Sequence, residues 1–324
     1  MPQVPIHFVI SAPRSGSTWL AQALNHHPEV FATEHRLFGD FCELWPNNNG
    51  KQAPRMTFDA YAKSLGMHYF HNETSDSRVQ FIEDFIAAYA QFLVNFAKQR
   101  TGKSIIVDKV TPYPGTCEIV LAKIKQFFPD AKLIRLIRDG RDVATSGTFD
   151  WLMKDGQGTP RHSHFVESNG ATPLARFFDD DVLSKWARQW HEFSTLLPSE
   201  VADVSVSYEA MLEDQASELG KIFTALEADA STSIAQSCAS KVTFENLTGR
   251  QPGSLDATAK QRNGISGDWR NYFTKQDGEL FARLAGSELC QEGYESDESW
   301  TTNLPDELNL EPTSVSNPNG VKGE

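Results

Sequence analysis

The stretch of residues 6–24 constrains the fold more than any other part of the sequence. Residues 6–10 form a short apolar run with β-branched side chains, which predicts a buried strand. Pro13, Ser15 and Gly16 interrupt this run, and beyond them apolar residues recur at helical spacing. A strand, a loop of small residues and a helix in this order are typical of a phosphate-binding loop. In such a loop, backbone N–H groups and the helix N-terminus bind an anion.

The loop differs from that of P-loop kinases and GTPases, whose motif is G-x-x-x-x-G-K-[ST]. Gly16 and Thr18 match the end of that motif, but Ser11 stands at the first Gly and Ser17 at the Lys. The cation of this loop is Arg14 instead. Without a Lys directed at the β- and γ-phosphates, ATP or GTP chemistry is disfavoured, and a small-molecule kinase stays open only as an alternative.

The loop Pro13-Arg-Ser-Gly-Ser-Thr18 resembles the first motif of sulfotransferases that use 3′-phosphoadenosine 5′-phosphosulfate (PAPS). In that family the loop closes on the 5′-phosphosulfate. The resemblance implies that Arg14 neutralises the leaving 5′-phosphate and that Trp19 stacks on adenine. The cofactor-binding residues implied here are Arg14, Ser15, Gly16, Ser17, Thr18 and Trp19.

A second segment resembles the 3′-phosphate motif of the same family. A predicted strand ends at Arg138, and Ser146 follows eight residues later on a predicted helix. An Arg supplies a fork of donors for a dianionic phosphate, and the Ser adds a neutral hydroxyl donor. Arg141 and Asp142 are interpreted as a structural pair at the helix start.

A third segment, Arg262-Asn-Gly-Ile-Ser-Gly-Asp-Trp-Arg-Asn-Tyr-Phe-Thr274, resembles the C-terminal motif of the cytosolic members. The resemblance implies that Arg262, Asn263 and Gly264 close over the 3′-phosphate, with Asn263 in place of a Lys. Tyr208, at the end of another predicted strand, resembles the Tyr that contacts adenine in the family.

The resemblance also implies catalytic residues. Lys109 lies at the end of the second predicted strand, where the family has a Lys that holds the transferring sulfuryl group. Glu34 and His35 lie in a segment similar to the one that supplies the base of tyrosylprotein sulfotransferases, which makes Glu34 the first candidate and His35 the second. Asp108 is the third, as a base or as a group that orients Lys109. Thr111 stands where the cytosolic members have their base His.

Two segments, residues 45–78 and 156–173, are predicted to be acceptor-side loops. The second holds His162 and His164, but no carboxylate or Cys lies at ligand spacing, so no metal site is predicted. Between the two loops a helix is predicted over residues 79–100. Its apolar face is expected in the core and comprises Phe81, Ile82, Phe85, Ile86, Tyr89, Phe92, Leu93 and Phe96.

The net charge of −13 and the pI near 5.2 argue against a nucleic-acid or anionic-membrane partner. The four cysteines are far apart and predict free thiols in a reducing compartment. No signal peptide and no apolar run long enough to span a membrane is recognised, which favours a soluble, cytoplasmic protein.

These observations predict one α/β domain over residues 1–300, with a central parallel sheet flanked by helices in a P-loop-like sulfotransferase fold. Residues 301–324, rich in Pro, Asn and Ser, are predicted to be a disordered tail. The expected reaction is PAPS-dependent transfer of a sulfuryl group to a hydroxyl or amine of a small-molecule or peptide acceptor, without a metal. A catalytically silent nucleotide-binding protein is a second alternative.

Overall fold

The computed structural model describes residues 6–34, 37, 40–41, 56–57, 64–68, 75–112, 114–167 and 176–308. The strands are β1 (Ile6–Ser11), β2 (Val30–Thr33), β3 (Asp40–Phe41), β4 (Met56–Thr57), β5 (Ile105–Val110), β6 (Leu133–Ile137) and β7 (Val204–Ser207). The helices are α1 (Ser17–Asn25), α2 (residues 64–68), α3 (Ser75–Thr101), α4 (Cys117–Phe127), α5 (Gly140–Lys154), α6 (Pro160–Phe165), α7 (Asp180–Leu196), α8 (Tyr208–Glu213), α9 (Gln215–Ala225), α10 (Thr232–Lys241), α11 (Phe244–Thr248) and α12 (Lys275–Gln291). Three short 3₁₀ turns lie at Ser199–Val201, Asp268–Asn271 and Glu298–Asn303.

Five of these strands form one parallel sheet in the order β2-β5-β1-β6-β7. Strand β1 lies at the centre, where Val9 is in register with Lys109 of β5 on one side and Ile134 of β6 on the other. The short strands β3 and β4 pair separately and antiparallel. The prediction of a central parallel sheet with flanking helices is therefore confirmed.

The sheet core is built from apolar strand residues that face helices on the sheet surface. Parallel strands buried on both faces read as continuous apolar runs, as in Phe8, Val9 and Ile10, all fully buried. Helices α1, α3, α8 and α9 contact these strands. Burial of this kind stabilises the fold by about 25 cal/mol per Å² of apolar surface removed from water.

The chain divides into two compact units. The first comprises the described residues of Met1–Ile137 and Glu192–Thr243 and contains the whole five-stranded sheet. The second comprises the described residues of Arg138–His191 and Phe244–Glu324, with helices α5, α6, α11 and α12. The single domain predicted over residues 1–300 remains a prediction.

Helix α3 forms where the sequence predicts it, but its buried face differs from the predicted one. Ile86, Ala90, Leu93 and Ala97 are buried at helical spacing, and α3 contacts β5. Phe92 and Phe96 are 58% and 40% exposed. The eight predicted core residues span more than one face of a helix, and Phe92 and Phe96 lie outside the buried stripe from Ile86 to Ala97.

A short helix, α6, replaces part of the loop predicted over residues 156–173. Thr159 caps it by accepting a hydrogen bond from His162 N, and Pro160 follows at the first helical position. His162 and His164 are buried. The loop prediction is therefore wrong for residues 160–165, because Thr159 and Pro160 form a helix start signal.

Two further predicted segments lie partly or wholly outside the described residues. Most of the predicted acceptor loop 45–78 is outside, as is the chain beyond residue 308. Within the predicted tail, residues 301–308 are described, and a Cβ at Gly278 of α12 would lie 2.5 Å from Cδ1 of Leu304. No helix among the described residues is long and apolar enough to cross a membrane.

We expect His7 in β1 to make the stability of the protein depend on pH. His7 Nδ1 accepts a hydrogen bond from Lys132 N at 3.0 Å. Burial and the nearby Lys132 charge lower the pKa of His7 to about 4. The unfolded chain therefore binds a proton at higher pH than the folded chain, and the free energy of unfolding falls as pH drops from about 6.5 to 4, by up to about 3 kcal/mol.

Urea denaturation between pH 4.5 and 7 measures this effect. The variant His7→Asn keeps a hydrogen-bond acceptor but does not titrate. Its free energy of unfolding should therefore fall less between pH 7 and 4.5 than that of the wild type, by up to about 3 kcal/mol. The exposed His68, changed to Asn, should leave the curve unchanged. Equal pH dependence of wild type and His7→Asn would contradict the assignment.

Candidate functional site

The parallel register brings the ends of three strands in the first unit to one edge of the sheet. Strand β1 ends at Ser11, β2 ends at Thr33, and Lys109 is the second-last residue of β5. Thr33 is in register with Asp108, so Glu34 leaves β2 beside the end of β5. In parallel α/β sheets the carboxyl edge is where ligands bind, so these residues are well placed for a site.

The loop after β1 adopts the backbone conformation of an anion-binding turn. Gly16 has φ +90° and precedes the first residue of α1, and Arg14 has φ +67°. A left-handed conformation costs a residue with a Cβ about 1–2 kcal/mol, so Arg14 stores strain in this loop. Gly16 has no side chain with which to cap α1. The N-terminal N–H groups of a helix attract negative charge.

Buried hydroxyl groups in the same loop fit an anionic ligand. The side chains of Ser11 and Ser15 are fully buried. The Oγ atom of each makes no hydrogen bond to any described residue. Because buried hydroxyls without partners are costly, two of them in one small loop indicate that an acceptor group belongs there. The loop thus suits an anionic group such as a phosphate.

Trp19 and Tyr208, both predicted to contact adenine, lie together at this loop. Their rings meet edge to face with centroids 5.6 Å apart. Tyr208 also lies close to Gly16, where a Cβ would be 2.8 Å from its Cδ2 atom. Trp19 Nε1 donates to Val242 O at 2.7 Å, which fixes the indole ring. The two rings form a rigid aromatic wall beside the phosphate loop.

The first-choice base lies against the predicted sulfuryl-binding lysine. Lys109 Nζ is 3.3 Å from Glu34 Oε1, and their side chains are 11% and 44% exposed. Asp108 is buried and its Oδ2 accepts a hydrogen bond from Leu37 N at 3.1 Å. This contact ties the chain after β2 to β5 and favours a structural role for Asp108. His35 lies outside the described residues.

In the second unit, Arg138 is held by the third sequence motif. The buried carboxylate of Asp142 lies 3.5 Å from Arg138 Nη2 and accepts hydrogen bonds from Gly267 N at 2.7 Å and Trp269 N at 2.9 Å. Arg138 Nη2 also donates to Ile265 O at 3.2 Å. Burial raises the pKa of Asp142, while the Arg138 charge and the two N–H donors oppose this rise.

Arg141 and Asp142 lie in the first turn of α5, where the helix-start interpretation places them, and both have structural contacts with other groups. Asp139, not Asp142, caps α5 by accepting a hydrogen bond from Arg141 N at 2.9 Å. The Arg141 side chain pairs with Asp139 and Glu295. Its guanidinium lies 3.8 Å and 4.6 Å from the ring centroids of Trp269 and Trp300.

Arg262 is buried in the second unit with donors to spare. Its Nη2 pairs with Asp268, and its guanidinium lies 4.5 Å from the ring centroid of Phe149 and 5.7 Å from that of Tyr272. Nε and Nη1 of Arg262 make no hydrogen bond to any described residue. Burial raises the pKa of Tyr272 to about 12, against the effects of the Arg262 charge and of a side-chain hydrogen bond with Arg262. A guanidinium with unused donors in a buried position fits a phosphate ligand.

The residues after Arg262 allow close approach of the backbone. Gly264 has φ +67°, and a Cβ there would lie 2.3 Å from Cδ2 of Phe244. Only Gly fits this position. Asn263 is buried and its Oδ1 makes no hydrogen bond to a described residue. Ser146 is buried on α5.

The structure thus places the predicted residues in two groups, one in each unit. Sequence reasoning missed the role of Asp142, which joins the second motif to the third; its place one turn after Arg138 could have indicated a pair. No group of three or more His, Cys, Asp or Glu side chains in the described ranges could hold a metal ion.

Comparison with known proteins gives a consistent result. A family model described as "Sulfotransferase family" matches residues 5–232. No curated protein sequence matches significantly. Among solved structures, mouse sulfotransferase SULT7A1 complexed with PAP is 18% identical, with 90% of each chain covered and a TM-score of 0.47. The sulfotransferase domain of the Synechococcus PCC 7002 olefin synthase is also 18% identical; 87% of this chain and 94% of that domain are covered, with a TM-score of 0.45. Sulfotransferase STF9 from Mycobacterium avium is 12% identical, with 90% and 77% covered and a TM-score of 0.47.

We expect Asp142 to be a major contributor to stability. The change Asp142→Ala removes the carboxylate partner of buried Arg138 and the acceptor of two backbone N–H groups, and should lower the free energy of unfolding by about 3–5 kcal/mol. Asp142→Asn keeps one acceptor oxygen and should cost roughly 1–3 kcal/mol. Urea denaturation followed by tryptophan fluorescence measures both.

Asp150→Asn, at the partly exposed pair with Lys154, should cost less than about 1 kcal/mol. A loss no greater for Asp142→Asn than for Asp150→Asn would contradict this role.

Proposed function

The chain belongs to the sulfotransferase family, and we propose that it transfers a sulfuryl group from PAPS to a hydroxyl or amine of a small-molecule or peptide acceptor. Membership in the family confirms the sulfotransferase class predicted from the sequence. The choice of PAPS as the sulfuryl donor is part of the proposal. No feature of the described residues favours the small-molecule kinase. The roles of individual residues, the acceptor, the independence from metal and a cytoplasmic location remain proposals.

The buried guanidinium of Arg262 is the observation that carries the assignment of a 3′-phosphate site. Its Nε and Nη1 atoms have no hydrogen-bond partner among the described residues, and aromatic rings shield the group from water. A buried cation with unused donors requires a fixed anionic acceptor. We assign the 3′-phosphate of the cofactor to Arg262 and Arg138, with the Ser146 hydroxyl and the Gly264 N–H as further donors and Asn263 beside them.

Residues of the loop after β1 are assigned to the other end of the cofactor. PAPS supplies the sulfuryl group and the 5′-phosphate from which that group departs. Arg14, the hydroxyls of Ser15, Ser17 and Thr18 and the N–H of Gly16 would bind and neutralise the 5′-phosphate. The wall made by Trp19 and Tyr208 would pack against adenine.

Lys109 and Glu34 are the residues proposed to act at the reacting atoms. The ammonium group of Lys109 would stabilise negative charge on the oxygen that leaves with the 5′-phosphate. Glu34, 3.3 Å from Lys109, is more exposed and can accept a proton from an acceptor hydroxyl or amine. His35 and Asp108 remain the second and third possibilities for the base, and the Leu37 contact of Asp108 favours an orienting role.

Calorimetric titration with 3′-phosphoadenosine 5′-phosphate (PAP, the nucleotide left after sulfuryl transfer), AMP and ATP tests the cofactor assignment. We expect tight binding of PAP and weak binding of the other two, because only PAP carries a 3′-phosphate. Arg138→Ala should weaken PAP binding by roughly tenfold to a hundredfold, the value of a charge-assisted hydrogen bond, and change AMP binding by less than about twofold.

Arg138→Lys, which keeps the charge beside Asp142, serves as a second variant and should weaken PAP binding less. A wild-type protein that binds ATP as tightly as PAP would revive the kinase alternative. PAP binding without transfer to any acceptor would favour the silent nucleotide-binding alternative. Equal losses of PAP and AMP affinity in Arg138→Ala would show that Arg138 does not contact the 3′-phosphate.

Glu34→Gln tests the base. The amide cannot take up the acceptor proton, so we expect kcat to fall by about 10²- to 10⁴-fold with the KM for PAPS unchanged within about threefold. Glu213→Gln, at an exposed end of α8, is the matched control and should retain full activity. If Glu34→Gln stays active while Asp108→Asn or His35→Gln does not, the base is the residue whose loss abolishes turnover.

A further inference from the structure

Arg250 lies outside every sequence motif, yet its side chain is bound to the chain segment that leads into Arg262. We propose that Arg250 is a positioning residue that sets the Arg262 guanidinium for recognition of the 3′-phosphate. This inference rests on the proposed function, because it explains how that same site is held in place. Arg250 is not among the residues assigned to bind the cofactor, and its proposed role is to position one of them.

The guanidinium of Arg250 donates to three backbone carbonyls of one segment. Its Nη1 donates to Ser254 O at 2.6 Å and to Arg262 O at 3.0 Å, and its Nη2 donates to Gln261 O. The residue itself is anchored by its own backbone N–H, which donates to Thr248 Oγ1 at 3.1 Å. Arg250 therefore connects the end of α11 to the backbone of Gln261 and Arg262, and Arg262 carries the side chain assigned to the phosphate.

The segment between Arg250 and Asn263 closes on itself around this contact. Gly253 N donates to Asn263 O at 2.8 Å, and Asp256 N donates to Arg262 O at 3.0 Å. The carbonyl of Arg262 thus accepts two hydrogen bonds, one from Asp256 N and one from Arg250. Both fix the peptide plane that follows the Arg262 side chain. The backbone orientation at Arg262 is consequently defined by its neighbours in the segment before any ligand binds.

The same guanidinium also reaches the glycine after Arg262 through an aromatic ring. The Arg250 guanidinium carbon lies 5.2 Å from the ring centroid of Phe244. The same ring packs against Gly264, where a Cβ would lie 2.3 Å from Cδ2 of Phe244. Arg250 therefore supports both Arg262 and the Gly264 N–H, the charged donor and the backbone donor assigned to the phosphate.

The chemistry of this contact requires an Arg. A planar guanidinium offers five N–H donors and a flat face, so it can bond several carbonyls and stack on a ring at once. A Lys ammonium keeps the charge but has neither the planar fork nor the flat face. Without the guanidinium, the three carbonyls lose their hydrogen bonds to Arg250 and the segment can move. A movement of the backbone at Arg262 displaces the donors of its side chain. Binding sites of this kind tolerate displacements of only about 0.5 Å.

The effect should be confined to recognition of the 3′-phosphate. We define the discrimination ratio as the Kd of AMP divided by the Kd of PAP, both from calorimetry. In Arg250→Ala this ratio should fall by roughly tenfold or more, with AMP binding changed by less than about twofold. In turnover, the KM for PAPS should rise while kcat at saturating PAPS stays within about threefold of the wild type.

Chemical rescue separates positioning from loss of fold. Guanidinium chloride at millimolar concentration can enter the space left in Arg250→Ala and should restore part of the discrimination ratio. Sodium chloride at equal ionic strength should not restore it. Arg250→Lys should give a ratio between those of the wild type and Arg250→Ala. Arg283→Ala, an exposed Arg of α12, controls for loss of one positive charge and should match the wild type.

Each outcome decides the proposal. A wild-type protein that does not prefer PAP to AMP refutes the proposed 3′-phosphate site itself, and with it the role of Arg250. A wild-type protein with the preference and an Arg250→Ala variant with the same ratio refutes the role of Arg250 alone. Equal losses of PAP and AMP affinity show a purely structural residue and also overturn it. If Arg250→Ala does not fold, the ratio of Arg250→Lys decides, and a wild-type value in that variant overturns the proposal.

Discussion

The parallel pairing of β1 with β5 and of β5 with β2 is the constraint on which the first half of the site depends. Because the register places Thr33 opposite Asp108, the chain leaving β2 passes the end of β5, and Glu34 comes within 3.3 Å of Lys109. A shift by one residue would turn the alternate side chain outward and separate this pair. The apolar content of the strands fixes the register, so burial of the core determines the position of two charged residues at its edge.

Buried arginines in this protein fall into two kinds, which their partners distinguish. Arg135 donates from Nε to Leu197 O at 2.6 Å and from Nη1 to Ser205 Oγ at 3.1 Å. Arg141 is held by two carboxylates and two tryptophan rings. Both use their donors within the fold. Arg262 is also buried, but its Nε and Nη1 atoms have no hydrogen-bond partner among the described residues. Burial alone therefore does not mark a binding residue; unused donors in a buried guanidinium do.

The sequence predicts the sheet and the strand–turn–helix at Gly16 well because both depend on local patterns. Continuous apolar runs indicate the strands, and small residues before a helical pattern indicate the turn at Gly16. The contacts of Asp142 and Arg250 depend on backbone groups distant along the chain or in irregular loops, and hydrogen bonds to backbone groups leave no residue pattern to recognise. The exposed rings of Phe92 and Phe96 were missed for a related reason. Apolar periodicity gives the helix, but which of two adjacent faces meets the sheet is decided by packing.

The net charge of −13 explains why the proposed anion site is built from buried cations. At long range an acidic protein repels a polyanionic nucleotide, so general electrostatic attraction cannot supply the affinity. Charges within a few ångströms of the ligand, screened from solvent by rings such as Phe149, are little affected by distant carboxylates. Burying a cation costs free energy unless a neighbouring group of opposite charge pairs with it. Asp142 pairs with Arg138, and Asp268 pairs with Arg262. Since each pair engages only part of the guanidinium, a further acceptor can bind it.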